Sequence, residues 1–262
     1  MFTITDAQFQ SWLTMFMWPL VRVMAWFATD PWLSIGGVPR SIKTGFAVVL
    51  TIAIVPVLPP MPVVEVVSPM GIMILLQQVL IGLSLGYVTK LVFVAIELAG
   101  HTAGLQMGLG FASFYDPQHG ATTAVMSQLY SLLTMLLFLV MDGHLLVLHT
   151  LIKSFSALPV AAAPFHGAGF KALVDAAGLV FHYGVILSLP TVAAVLITNL
   201  SIGVMSRAAP QLNVFAIGMP LTLGIGLGAM YFSLPAMAGL VHMLIEWAAK
   251  RGPEIAKVLA HG

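Results

Sequence analysis

Long stretches without a charged residue are the feature that most constrains this chain. Five of them contain 21, 24, 25, 31 and 38 residues, and a helix needs about 20 to cross the hydrocarbon layer of a membrane. Lipid offers no partner for backbone N–H and C=O groups, so segments that cross it form helices or closed barrels. The two-residue alternation that a barrel requires is absent. The bounding pairs are Lys43 and Glu65, Glu65 and Lys90, Asp116 and Asp142, Asp175 and Arg207, and Arg207 and Glu246.

The scarcity of charge also excludes several classes of protein. Lys, Arg, Asp and Glu make up 7% of the 262 residues, against about 25% in soluble proteins. The composition therefore excludes a soluble enzyme, a disordered chain and a nucleic-acid binder that uses a basic face. The absence of Cys excludes disulfides, thiolate metal sites and a cysteine nucleophile. What remains is an all-α membrane protein that crosses the bilayer several times.

We predict one polytopic helical domain over residues 1–245 and a short polar tail over 246–262. The tail is predicted to be an amphipathic helix that breaks near Gly252 and Pro253. Asp6 and Arg22 are atypical of a cleaved signal peptide, so we expect the first helix to be retained. About six long apolar helices are predicted, at 10–29, 44–58, 70–96, 122–141, 176–200 and 213–240. If all six cross, the Lys and Arg residues divide four against five between the two faces, which is too even to orient the chain.

A G-x-S-x-G pattern at 82–86 has two interpretations. In hydrolases this pattern exposes a serine on a strand-to-helix turn, which here would be Ser84. Within a long apolar run, however, Gly82 and Gly86 form the G-x-x-x-G face that allows two helices to approach closely. The context favours helix packing.

Three polar residues in apolar surroundings are candidates for function. Glu97 and His101 are four residues apart and share a helix face, where they could relay protons, hold a metal or form a polar pair at the wet end of a helix. Metal binding is disfavoured because no third ligand has suitable spacing. Arg22 must reach the interface, meet a carboxylate or face a protein interior. Arg207, just before Pro210, is predicted to anchor an interfacial turn.

The segment from Gly100 to Gly120 is rich in both glycine and large apolar residues. Four of its glycines, at 100, 104, 108 and 110, argue against a stable lone helix, since each costs up to about 1 kcal/mol in a helix interior. The alternative is that they serve close helix packing. Non-helical backbone at membrane depth is tolerated where it lines a cavity, and Met and Phe side chains there could form a reshapable seal.

Three blocks in this order resemble the FliR family, the R component of the flagellar type III export gate, which is related to the T component of injectisomes. The first runs from Glu97 to Pro117 and reads ELAGHTAGLQMGLGFASFYDP. The second has DGH from Asp142, then SF from Ser154 and LP from Leu158. The third reads RAAPQLNVFAIGMPL from Arg207. His101 departs from the acidic residue expected there, which puts a proton-related role at this position in doubt.

The resemblance implies a fold, partners and a mechanism. Members co-assemble with FliP and FliQ in a helical funnel, FlhB wraps it, and unfolded flagellar proteins pass through it across the bacterial inner membrane at the flagellar basal body. Some helices form bent hairpins, no cofactor or enzymatic activity is implied, and a loop of this chain, about 100–120, plugs the pore. The residues implied for the plug are Gly104, Leu105, Met107, Gly108, Leu109, Gly110, Phe111, Phe114 and Asp116, with Met107, Phe111 and Phe114 as sealing side chains. Those implied for packing or assembly are Asp142, His144, Arg207, Pro210, Gln211, Asn213, Phe215 and Pro220.

Two other functions remain as alternatives. A proton-coupled secondary transporter would use Glu97, His101 and Arg22 as its relay, and it is suggested by intramembrane charges and interrupted helices. An intramembrane serine hydrolase would use Ser84, which a serine-reactive probe would label.

Overall fold

The computed structural model describes residues 5–32, 39–111, 125–162, 166–211 and 213–261, and its regular elements over these residues are all helical. The predicted all-α class is confirmed. The seven α-helices in these ranges are α1 Asp6–Thr29, α2 Arg40–Ile54, α3 Pro69–Gln106, α4 Val125–Val140, α5 Gly143–Ala157, α6 Gly167–Ala208 and α7 Val214–His261. Short 3-10 turns follow α2 at Val55–Val57 and α3 at Leu109–Phe111.

Charged side chains proved to be poor markers of helix ends. Helix α3 continues past Glu97 to its end at residue 106, and α6 begins at residue 167, before Lys171 and Asp175. Helix α5 was not predicted because His149 and Lys153 interrupt its apolar run. All five of these side chains are exposed, and a charge on an exposed helix face does not interrupt backbone hydrogen bonding.

The prediction of a break near Gly252 and Pro253 was wrong. Helix α7 runs without interruption from Val214 to His261. The part from residue 246 onward is amphipathic, as expected, because Ile255, Ala256 and Leu259 are buried. Their burial supplies packing that offsets the weak helix propensity of the glycine and proline.

Within the described part of the chain, four helices are long and apolar enough to cross a membrane, and a bent pair brings the possible number to five. The pair is α4 and α5, which are bent by 70° at a short break. Asp142 in this break has a left-handed φ of 55°, which ends one helix and allows the next to begin in a new direction. This bend matches the expectation that some helices form bent pairs rather than straight crossings.

The chain folds into two compact units, each built from segments that are distant in sequence. The first comprises Met1–Leu91, Asp142–Ala176 and Ile245–Gly262, and the second comprises Val92–Met141 and Ala177–Leu244. In the first unit, α1 buries Trp18 and Trp26, and Phe27 stacks on Phe46 of α2 with ring centroids 5.6 Å apart. In the second unit, Phe93 of α3 meets Phe138 of α4 edge to face at 5.4 Å.

Candidate functional site at the end of helix α3

Gly108 ends helix α3 within the segment that the resemblance marks as a plug. Its φ of 85° is the positive value that glycine adopts without steric cost. The preceding turn is closed by the N–H of Met107, which donates to the Ala103 carbonyl at 3.0 Å, and the N–H of Gly108, which donates to the Leu105 carbonyl at 3.1 Å. A left-handed glycine directly after a helix is a common way to end it. Helical backbone therefore extends well into the glycine-rich segment.

Gly100 and Gly104 serve close helix packing, which resolves the alternatives for this pair. A Cβ added to Gly100 would lie 2.6 Å from the Met126 carbonyl oxygen of α4, and one added to Gly104 would lie 3.2 Å from the Met126 Cβ. Ser127 reinforces the contact, since its hydroxyl donates to the Glu97 carbonyl at 3.1 Å. Packing against α4 offsets their low helix propensity, so of the two alternatives the second, close helix packing, holds for these glycines.

Met107 is held in the interior of the second unit. Its side chain is 2% exposed and lies on Gly226 of α7, where an added Cβ would be 2.6 Å from the Met107 Cε. Leu105, two residues earlier, is 54% exposed, and its side chain contacts Gly110. Met107 fills the space above Gly226, and this packing sets the position of the turn at Gly108.

The predicted plug residues after Gly108 fall partly within the described residues. Leu109 and Gly110 are half-buried in the 3-10 turn. The side chain of Phe111, and all of Phe114 and Asp116, lie outside the described residues. The sealing role of these aromatic residues stays a prediction.

Glu97 and His101 line an open cleft of about 610 Å³ in the second unit. Both side chains are exposed, as their spacing on one face of α3 predicts. The cleft combines them with Ser127, Gln128 and Ser131 of α4 and with an apolar wall that includes Val180 and Phe181 of α6. The described residues contain no group of three His, Cys, Asp or Glu arranged to hold a metal ion.

Arg22 was predicted to reach the interface, to meet a carboxylate or to face a protein interior, and the structure shows the last of these. Its side chain is 0% exposed in the first unit. The Nε donates to Gln78 Oε1 at 2.8 Å, Nη1 to the Ser154 hydroxyl at 3.1 Å and Nη2 to the Leu158 carbonyl at 3.0 Å. The guanidinium also lies 4.1 Å from the centre of the Phe155 ring. Three neutral acceptors and a π face thus stabilise the buried cation.

The partners that hold Arg22 were not predicted from the sequence. Gln77 and Gln78 are both buried on α3 within an otherwise apolar run. Two adjacent amides in such a run were the available signal, because a buried amide requires hydrogen-bond partners. Ser154 belongs to α5, the helix that was not predicted.

The other two motif blocks also include residues at helix junctions. Asp142 is at the bend between α4 and α5, and the His144 ring lies 5.7 Å from that of Trp32. Asn213 caps α7, since its Oδ1 accepts the Ala216 N–H at 3.2 Å. Arg207, Pro210, Gln211 and Pro220 are exposed, and the Phe215 side chain lies outside the described residues.

The G-x-S-x-G pattern is a packing motif. Ser84 is 2% exposed and its hydroxyl donates to the Ile81 carbonyl at 2.8 Å within helix α3. A Cβ added to Gly82 would lie 2.8 Å from the Ala25 Cβ of α1, and one added to Gly86 would lie 2.8 Å from the Trp26 carbonyl oxygen. The serine has none of the exposure that a hydrolase nucleophile requires.

The chain is similar to known export proteins along nearly its whole length. Residues 13–247 match the family model described as bacterial export proteins, family 1. The chain is 40% identical over 238 residues to the flagellar biosynthetic protein FliR of Escherichia coli strain K12, with 91% of each chain covered. It is 39% identical to the FliR protein of Pectobacterium carotovorum, with 90% of each covered. It is 29% identical to that of Bacillus subtilis, covering 80% of this chain and 82% of the relative.

Proposed function

The chain belongs to the bacterial export proteins of family 1 and is a component of the flagellar export apparatus, and from this premise we propose that it is a non-enzymatic subunit of the flagellar type III export gate. In this role it helps to form and seal the inner-membrane channel through which unfolded flagellar proteins pass. Its proposed partners are FliP, FliQ and FlhB, together with the export substrates and membrane lipid. The proposed location is the flagellar basal body.

The observation that carries the proposal is the amount of apolar surface that the chain leaves uncovered. Only 28% of the most apolar window of α6, and 28% of that of α7, is buried within the chain, against 67% for α3. Exposed side chains on these helices include Phe181, Leu200 and Phe232, at 68%, 72% and 81%. Apolar helix faces that are left this exposed mark contact with lipid or with other proteins.

The length of these helices favours other subunits over lipid alone. Helix α6 has 42 residues and α7 has 48, or about 63 and 72 Å at 1.5 Å per residue. The hydrocarbon layer is only about 30 Å thick. Helices more than twice that length extend beyond the bilayer, and their apolar faces then require protein partners.

The end of α3 has features that suit a seal. A gate must block ions and still admit a polypeptide, which calls for apolar side chains on backbone that can rearrange. The sequence supplies such side chains after Gly108, whose left-handed conformation starts a new chain direction. Met107 anchors the near end of this segment against α7.

Ion leakage tests the seal. We expect that deletion of residues 105–114, or replacement of Phe111 and Phe114 by Gly, makes the inner membrane leaky when FliP and FliQ are co-expressed. Replacement of Leu132 and Leu136 by Ala is a matched control, since these apolar residues are exposed on α4 and lie outside the predicted plug segment in the sequence. Unchanged permeability of the plug variants, in an assembly that still forms, would contradict the sealing role.

The cleft at Glu97 and His101 favours one alternative, a proton-coupled secondary transporter that also uses Arg22. Its open, partly polar cleft of about 610 Å³ has the size of a small-molecule site. Such a transporter would move a solute in liposomes without heterologous partners. Burial of Arg22 among neutral partners weakens this alternative, since the residue does not line the cleft.

A further inference from the structure

The cleft at Glu97 and His101 lies where α4 and α6 both pack on helix α3 in the second unit. Helix α4 packs on this stretch through the contact at Gly100, and α6 packs on it through Gly184, whose added Cβ would lie 3.0 Å from the Ala95 carbonyl oxygen. All three helices line the cleft, and its four residues on α3 recur over two turns of one helix face. An open groove along a helix face has the shape that the side-chain ridge of another helix fills.

Glu97 places one negative charge in this cleft. It is the only Asp, Glu, Lys or Arg among the lining residues, and its side chain is exposed. Within the described part of the chain, no Lys, Arg or His side chain forms an ion pair with it. Helix α3 is long and apolar enough to cross a membrane. An ionised carboxylate in such a segment is costly without a partner of opposite charge, so the cleft favours a positively charged occupant.

The neutral groups of the cleft also suit a cation. Gln128 supplies an exposed amide, Ser131 a half-buried hydroxyl and Phe181 an aromatic ring. An amide, a hydroxyl and a phenyl ring are among the groups that hold the buried Arg22 guanidinium in the first unit. The cleft offers the same three kinds of group and adds the carboxylate of Glu97. Oxygen acceptors and an aromatic face together recognise ammonium and guanidinium groups.

Exposed apolar side chains continue the walls of the cleft along α4 and α6. Phe181 of α6 is 68% exposed, and Val185, one turn further on the same side of the helix, is 49% exposed. On α4, Leu132 lies one turn after Gln128 and is 58% exposed. A small solute at Glu97 would leave these side chains uncovered, whereas an apolar helix that carries the cation would cover them together with the carboxylate.

We propose that this cleft receives a Lys or Arg side chain from an apolar membrane helix of another subunit, with the cation at Glu97. A helix pairs its own backbone groups, so it can fill an apolar groove where an extended segment would leave those groups unpaired. Charge complementarity selects the helix that carries the cation, because an uncharged helix would bury Glu97 without a partner. The inference rests on the proposed function, since the export gate supplies the neighbouring helices.

The rate at which the assembly dissociates tests the pairing. The tagged chain is immobilised in mild detergent with the subunits that co-purify, and the release of each subunit is timed. In Glu97→Gln, the subunit that supplies the cation is expected to leave about 30-fold faster, because loss of one member of a buried charge pair acts mainly on the dissociation rate. Equal release of every subunit from the wild type and from Glu97→Gln would overturn the proposal.

Glu254→Gln is the matched control, because it removes a carboxylate that is 62% exposed and pairs with Arg251 at the surface. Exposed pairs contribute little, so this variant should release every subunit at the wild-type rate. Equally fast release from the two variants would show that only net charge matters, which would contradict a pairing site at Glu97.

Photocrosslinking identifies the occupant without a change at Glu97. A benzophenone amino acid in place of Phe181 is expected to crosslink to a peptide of a co-purified subunit, within an apolar run that contains Lys or Arg. Replacement of that Lys or Arg by Gln should speed release in the wild type and have little further effect in Glu97→Gln, as expected for two groups that act as a pair.

Three other outcomes would overturn the inference. They are crosslinks to lipid alone, crosslinks to a peptide without a cation, and additive effects of the two Gln replacements. Co-purification of the other subunits in such a case would leave the proposed gate function intact. If no subunit co-purified, the proposed function and this inference would both fail.

Discussion

Arg22 shows how one residue can organise a membrane protein interior. A charge in an apolar run is expensive unless hydrogen bonds replace its hydration. Here the acceptors come from α3, from α5 and from the chain just after α5, through Gln78, Ser154 and the Leu158 carbonyl. These three segments are joined to α1 through one side chain, so the guanidinium fixes their mutual positions within the first unit.

Replacement of Arg22 by Ala is therefore expected to destabilise the protein strongly. The change leaves a cavity and removes the donors from three buried acceptors, which together cost about 3 kcal/mol or more. Thermal unfolding in detergent, followed by near-UV circular dichroism, measures the loss. Arg251→Ala removes the same side chain from an exposed surface pair with Glu254 and should change the stability by less than about 1 kcal/mol. Similar melting temperatures for the two variants would contradict a structural role for the buried cation.

At the scale of elements, the contact of α1 with α3 depends on Gly82 and Gly86. Gly82→Ala is expected to lower the melting temperature, because the new Cβ would lie 2.8 Å from the Ala25 Cβ and 3.0 Å from the Trp26 nitrogen. The overpacking costs about 1–3 kcal/mol. Gly45→Ala on α2 is the matched control, since nothing lies within 4 Å of its added Cβ. That variant should be neutral or more stable, and a loss equal to that of Gly82→Ala would argue against close helix approach.

The end of α3 is the element on which the proposed seal depends. Gly108→Ala forces an L-residue into the left-handed region at a cost of about 1–2 kcal/mol, so the turn is expected to shift and the sealing side chains with it. Proton leakage of inverted membrane vesicles, measured with a pH-sensitive dye, should rise. Gly178→Ala on α6 serves as the control, because nothing lies within 4 Å of its added Cβ. Indistinguishable leakage in the two variants would show that the left-handed turn does not set the seal.

The sequence was sufficient to predict the helical class, most helix positions and the packing role of Gly82 and Gly86. It was insufficient wherever tertiary contacts decide the outcome. Gly100 and Gly104 are helical because α4 packs on them, and Glu97 does not end α3 because it lies on an exposed face. At the Arg22 site, the sequence identified the cation but not the groups that accept its hydrogen bonds. Those acceptors meet it only after distant segments pack together.

At the scale of the whole molecule, the exposed apolar faces of α6 and α7 are predicted to be shielded from water in the native membrane. The chain contains no Cys, so single cysteines report without background. Phe181→Cys and Leu200→Cys should resist a membrane-impermeant maleimide until the assembly is dissolved in a harsh detergent. Lys257→Cys, in the exposed part of α7, should react in permeabilised cells. Rapid labelling of Phe181→Cys in intact membranes would indicate that water reaches this face.

The central claim is that other export-gate subunits cover the apolar surface that this chain cannot bury itself. The most direct test is purification of the tagged chain from its native membrane in mild detergent, followed by mass spectrometry of the proteins that remain bound. The account predicts that FliP and FliQ co-purify in fixed amounts and that the chain aggregates when they are absent. A stable, monodisperse chain that is purified from those membranes without either protein would contradict it.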